Sequence, residues 1–121
     1  MVFQTTAQPY PLYAAVVAVS KENDQPWESH GAWTALVVGW NHYPGKGGKR
    51  PYALPLLADK GAPQEFGTDR CPQFEDFLFF APSEEEAFFL AESHGAERAA
   101  LLNSQNCQAL HCAKPSADPF A

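Results

Sequence analysis

Four stretches of the chain, residues 12–19, 32–40, 52–58 and 77–80, are apolar on both of their alternating faces. A strand with one wet face alternates apolar and polar residues, whereas near-continuous apolar strands belong to sheets covered on both sides. In the first stretch Tyr13, Ala15, Val17 and Val19 alternate with Leu12, Ala14, Val16 and Ala18, and both sets are apolar. In the second, Trp33, Ala35 and Val37 face one way and Leu36, Val38 and Trp40 the other. Only one or two segments carry helical signals. The sequence therefore implies more apolar β surface than its helices cover, and so a partner, a second copy of the chain or an enclosed ligand.

The clearest local signal is Pro82-Ser83-Glu84-Glu85-Glu86. Ser83 is placed to accept from the first-turn N–H groups and Glu86 to reach back, a capping box, with acids favoured at that end of the helix dipole. The helix is expected to reach about His94 and stop at Gly95, a residue suited to the left-handed position after a helix. Residues 96–112 read as a second helix or a returning strand, with Ala and Leu favouring helix. A twelve-residue helix is about 18 Å long and about 10 Å wide. Strands lie about 4.8 Å apart, so one helix shields two of them. Pro51 and Pro55 put the third strand, 50–58, at an edge or a bulge. Residues 41–50, with three glycines and Pro44, read as a hairpin tip. Residues 59–74 read as a long connection of the kind that covers or binds something. The fold expected is α+β: a mostly antiparallel sheet of about four strands with one or two helices packed on one face. Residues 1–11 form an N-terminal arm, 12–113 a single domain and 114–121 a flexible C-terminal tail.

Composition removes several functions. The net charge is −6, with 8 Lys and Arg against 14 Asp and Glu, whereas a duplex nucleic-acid binder carries a basic excess on at least one face. No run approaches the roughly 20 apolar residues of a bilayer span, and the first eight residues carry no basic side chain of a secretory leader. Three cysteines are an odd number, which excludes a full disulfide framework and makes reduced thiols the default. These features point to a cytoplasmic protein.

The candidate chemistry is sparse. Cys71, Cys107, His111 and Cys112 are the low-ranking metal ligands; Cys107 and His111 share a helix face, but the set lacks paired-cysteine knuckles, so no metal and no cofactor are expected. His42, Lys46, Lys49 and Arg50 gather charge on a glycine-rich loop suited to an anionic group. A phosphate loop would follow its Lys with Ser or Thr at a helix mouth, and here Lys49 leads through Arg50 and Pro51 into a strand. Residues 34–57, with Val37-Val38-Gly39-Trp40-Asn41-His42-Tyr43 and the later apolar run 54–57, resemble the opening strand and loop of caspase-like peptidases over about a fifth of the chain. That resemblance implies a Cys–His pair. The interval from His94 to Cys112 is too short for that family's intervening strand and helix, and the chain is too short for its sheet, so peptidase activity is not expected. Asp118-Pro119-Phe120 resembles short adaptor-binding peptides over three residues and reads as tail.

The functional expectation is a small, non-catalytic binding protein whose apolar sheet face or third-strand edge engages a protein partner or a second copy of itself, a dimer being the expected oligomer. Trp33, Trp40, Tyr43 and Tyr52 are the expected anchors, because aromatic residues dominate interface energetics. The alternative is a small-molecule-binding or enzymatic domain that holds an anionic ligand on the 42–50 loop. Neither duplex nucleic acid nor a membrane is an expected partner.

Overall fold

The computed structural model describes residues 4–58 and 61–113, with side chains described as far as residue 105. The elements in order are β1 (Gln4–Ala7), β2 (Tyr13–Ser20), β3 (Glu28–Ser29), β4 (Trp33–Tyr43), β5 (Tyr52–Ala58), β6 (Gln64–Glu65), β7 (Arg70–Cys71), β8 (Phe74–Ala81) and α1 (Glu84–Ala113). The eight strands form one curled half-barrel sheet in the order β6-β5-β4-β2-β8-β7, with β1 alongside β4 and β3 alongside β2. Every pairing is antiparallel. The expectation of about four strands with one or two helices is corrected: among the described residues there are eight strands in one sheet and a single C-terminal helix of 30 residues. The additional strands β1, β3, β6 and β7 are two or four residues long. Segments that short carry no usable alternation.

β1 and β2 run in the same direction along one edge of β4. Gln4 to Ala7 pair with His42 to Gly39, and Tyr13 to Val16 pair with Leu36 to Trp33. Between them, Gln8 N–H donates to the Val38 carbonyl at 3.0 Å and Val37 N–H to the Leu12 carbonyl at 2.9 Å. Residues 8–12 therefore bulge out opposite Val37 and Val38. Pro9 and Pro11 bring no N–H into the gap, which removes two donors from the interrupted ladder.

Both sheet faces are closed largely by the chain itself. On one face Tyr13, Ala15, Val17, Phe77 and Phe79 pack against Ala87 and Ala91 of α1. Val19 packs with Trp27 and Ala99 further along. The His94 ring lies between Phe77 and Phe79, at 4.5 and 4.9 Å centroid separation. The helix continues through Gly95, because there it passes against Val17 and Ser29 with no room for a Cβ. The expected stop at Gly95 is thereby corrected, and 96–112 continues α1 without a break. On the other face Ala14, Ala35, Val37 and Leu57 form a buried layer, flanked by Leu12, Trp40, Phe66 and Leu78. Trp40 and Phe80 meet over the small Ala14 at 5.4 Å. Among the described residues no helix is long and apolar enough to cross a membrane.

Candidate binding site at the β4–β5 hairpin

β4 and β5 are the longest continuous pair in the sheet, in register from Leu36–Ala58 to Tyr43–Tyr52 with one irregularity between Val37 and Gly39. Past Tyr43 and Tyr52 the strand pairing ends at Pro44 and Pro51, and the loop closes again at the tip. There Lys49 N–H donates to the Lys46 carbonyl at 3.1 Å. Gly47 and Gly48 lie between them with φ of 59° and 83°. Positive φ at both central residues is the type I′ geometry whose twist matches a hairpin, and glycine adopts it without strain. Gly45 lies directly against the Lys49 backbone, where a side chain would collide. The loop read as a hairpin tip is a closed turn, with Lys46, Lys49 and Arg50 all exposed on it.

At the base of the tip, Tyr43 and Tyr52 stack across the strands with ring centroids 5.0 Å apart and planes 13° apart. The Tyr43 hydroxyl donates a short hydrogen bond to Glu65 of β6. Asn41 Nδ2 donates to the same Glu65 oxygen at 2.9 Å, and Thr5 Oγ1 donates to Asn41 Oδ1 at 2.7 Å. Strands β1, β4 and β6 are thereby joined through one carboxylate. The donated hydrogen bonds from Tyr43 and then Asn41 hold the Glu65 carboxyl below its ordinary value. The same bond to Glu65 pushes the Tyr43 phenol up to about 12. An open cavity of about 490 Å³ lies beside the stack, lined by Gln4, His42, Pro44 and Pro51 along with both tyrosines.

The expected site residues fall into four groups. Tyr43, Tyr52, Lys46, Lys49 and Arg50 come together on one hairpin. His42 lines the same cavity, but its Nε2 is 2.8 Å from Thr6 Oγ1, which ties it into the β1–β4 seam. Trp33 and Trp40 are elsewhere: Trp33 is 42% exposed and edge-on to Phe66 at 5.9 Å, and Trp40 is half-buried with its Nε1 donating to Gln8 Oε1 at 2.8 Å. The fourth set is not assembled by what is visible. Cys71 is exposed on β7, while the side chains of Cys107, His111 and Cys112, like the tail with Asp118-Pro119-Phe120, lie outside the described residues. Among the described residues no group of three His, Cys, Asp or Glu is placed to hold a metal ion.

Asn41, Glu65 and Thr5 complete the network, and sequence reasoning passed over them. Glu65 follows a stretch with no periodicity, and only the pairing of Glu65 with Leu56 brings it beside Asn41 and Tyr43. A second cavity of about 700 Å³ opens at the start of α1, between Pro11, Tyr13, Glu84, Glu85 and Phe88. Thr34 Oγ1 donates to Glu84 Oε1 at 2.8 Å on its wall. Ser20 Oγ at the end of β2 and His30 Nε2 just past β3 approach to 2.6 Å; no carboxylate among the described side chains bonds that ring, so the pair lacks the orienting group of a nucleophile–base array. Comparison of the chain with protein-family models, with curated proteins and with solved structures finds no significant match.

Proposed function

We propose that the chain is a small, non-catalytic interaction protein of the cytoplasm, whose partner is a protein or a second copy of itself and neither duplex nucleic acid nor a membrane. The observation that carries this reading is the stacked Tyr43–Tyr52 pair. Two rings are held rigid at the end of the sheet beside an open cavity, with Tyr52 53% exposed. Aromatic side chains fixed before binding supply contact area at little ordering cost, which is the character of an interface anchor. Phe88, Phe89, Leu90 and Leu101 on the outer side of α1 add exposed apolar surface. An exposed thiol, Cys71, suits a reducing compartment.

Light scattering on the size-fractionated full chain, together with a hydrophobic-dye titration, tests this. Association or saturable dye binding that falls in Tyr52→Ala supports it; a monomer that binds no dye overturns it. The cavity also falls within the ~300–1,000 Å³ typical of ligand pockets, which favours a second reading as a binder of a small anionic molecule. Native mass spectrometry of freshly purified protein separates the two, because a retained small mass belongs only to the second.

A further inference from the structure

We infer that the chain self-associates head to tail, the cationic β4–β5 hairpin of one copy seating in the acid-rimmed cavity at the start of α1 in the next. This rests on the interaction reading and names the partner as a second copy. Three of the chain's 8 Lys and Arg residues, Lys46, Lys49 and Arg50, sit on the hairpin tip of a protein whose net charge is −6. Glu84, Glu85 and Glu86 are all exposed at the opposite feature. The two features lie at opposite ends of β4. Thr34, near its start, bonds Glu84, while Tyr43 ends it at the hairpin. Those positions are nine steps apart along the strand, roughly 30 Å at the usual rise. The hairpin of one copy therefore cannot satisfy its own helix start. Each molecule carries a positive end and a negative end.

Shape agrees with charge. The hairpin projects as a closed type I′ finger, pinned by the Lys49 N–H bond to the Lys46 carbonyl and by the approach of Gly45 to the Lys49 backbone. The receiving cavity, about 700 Å³, has Glu84 and Glu85 at its rim and Pro11, Tyr13 and Phe88 as apolar walls. Lysine stems lie along apolar walls while their ammonium groups reach carboxylates at a rim. Phe88 is 39% exposed and Phe89 69% exposed beside it, positioned for Tyr52 and the prolines of the incoming hairpin. Glu65, close to that hairpin, is ionised and accepts from Tyr43 and Asn41; its single charge is outnumbered by the three cations of the tip. A single-stranded nucleic acid fits less well: three cations neutralise at most about three phosphates, on a chain whose net charge is −6. Because the two surfaces differ, the contact is heterologous and builds a ring or an open chain.

Sedimentation velocity of the full chain at rising concentration and low salt tests the contact, with circular dichroism confirming that each variant is folded. The wild type is expected to gain mass with concentration and to lose it as salt is added. Lys46→Glu/Lys49→Glu disables only the hairpin, and Glu85→Gln/Phe89→Ser only the helix start; each is expected to weaken self-association about tenfold or more. Mixed together, the two variants retain one complementary pair of surfaces and are expected to form a one-to-one heterodimer that grows no further. Phe89→Ser alone serves if the double helix variant does not fold. A wild type that stays monomeric at the highest concentration, variants that still self-associate, or a mixture that stays monomeric overturns the head-to-tail contact. A monomer that nevertheless binds hydrophobic dye through Tyr52 would overturn this contact and leave the interaction reading standing.

Discussion

Gly95 of α1 lies so close to Val17 of β2 that a Cβ on the glycine would stand 2.7 Å from the valine Cγ2 and 2.5 Å from Ser29 Oγ. Val17 is 1% exposed and flanked by Ala15, Ala87 and Ala91, so it has little room to retreat. In an open helix Gly→Ala gains up to about 1 kcal/mol of propensity. Here overpacking at about 1–3 kcal/mol outweighs that gain. Gly95→Ala is therefore expected to lower the urea midpoint, and to do so by less in a Val17→Ala background, where the collision is relieved. Equal losses in the two backgrounds would show that the close approach is not what requires glycine.

A second clasp holds the helix further along. Asn103 accepts from the Trp27 N–H at 2.7 Å and donates through Nδ2 to the Trp27 carbonyl at 3.0 Å, so one side chain satisfies both backbone groups of a loop residue. The Trp27 ring is 8% exposed and packs with Val19 and Ala99. Asn103→Ala leaves two partly buried backbone groups unpaired and should cost about 1–3 kcal/mol. Amide exchange at Trp27 should quicken with it, while the exposed neighbour change Ser104→Ala leaves both stability and exchange unaltered.

Much of this was readable in the residues, and the failures have physical causes. The four apolar stretches are strands because their pattern survives any environment that buries both faces. The cap is legible because it is local: Ser83 Oγ accepts from Glu86 N–H at 3.2 Å. Gly95 was misread because the reason for its being glycine lies on β2 and β3, far away in sequence. The second sheet face looked uncovered because its covers, Phe66, Trp40 and Phe80, are scattered through loops and neighbouring strands and converge only through the half-barrel's curl. At the candidate site, Tyr43, Tyr52 and the cations were legible as a hairpin. The Glu65 network was not, since it depends on a two-residue strand.

The buried acid of the fold sets its behaviour in acid. Glu75 of β8 is 4% exposed; its carboxylate accepts from Arg98 Nε at 3.1 Å and Nη2 at 3.0 Å, and meets Arg70 Nε at 2.8 Å. The Arg98 hydrogen bonds, joined by the charges of Arg98 and Arg70, hold the carboxyl below its ordinary value of 4.5 although desolvation opposes them. A folded pKa that is depressed contributes stability above the unfolded value, lost as pH falls through that value towards the folded one. Glu75→Gln should cost about 2 kcal/mol at neutral pH. Its stability should also decline less steeply than the wild type's below about pH 4.5. Urea midpoints measured from neutral to acid pH decide this, and parallel profiles for the two proteins would refute it. Arg70, whose side chain is 77% exposed, should matter far less: Arg70→Ala is expected to cost under about 1 kcal/mol.

The hairpin titrates at the other end of the scale. Tyr43 donates to Glu65, and that bond, with a smaller contribution from the carboxylate's charge, raises the phenol from 10.0 to about 12. A group whose folded pKa is raised gives its stability in full below the unfolded value and loses it as pH climbs through the folded one. The tie between β4 and β6 should therefore hold up to about pH 10 and dissolve towards about pH 12. In ultraviolet difference titration, Glu65→Gln should bring one tyrosine's ionisation back towards 10.0, because a neutral amide favours the phenol proton less than a carboxylate does. Tyr43→Phe should delete the late ionisation altogether. Asn41→Ala leaves the Tyr43–Glu65 bond in place and should move it little. A titration in which Glu65→Gln leaves the late tyrosine where it was would mean that the carboxylate does not hold the phenol, and that the rigid stack beside the cavity owes its order to something other than this bond.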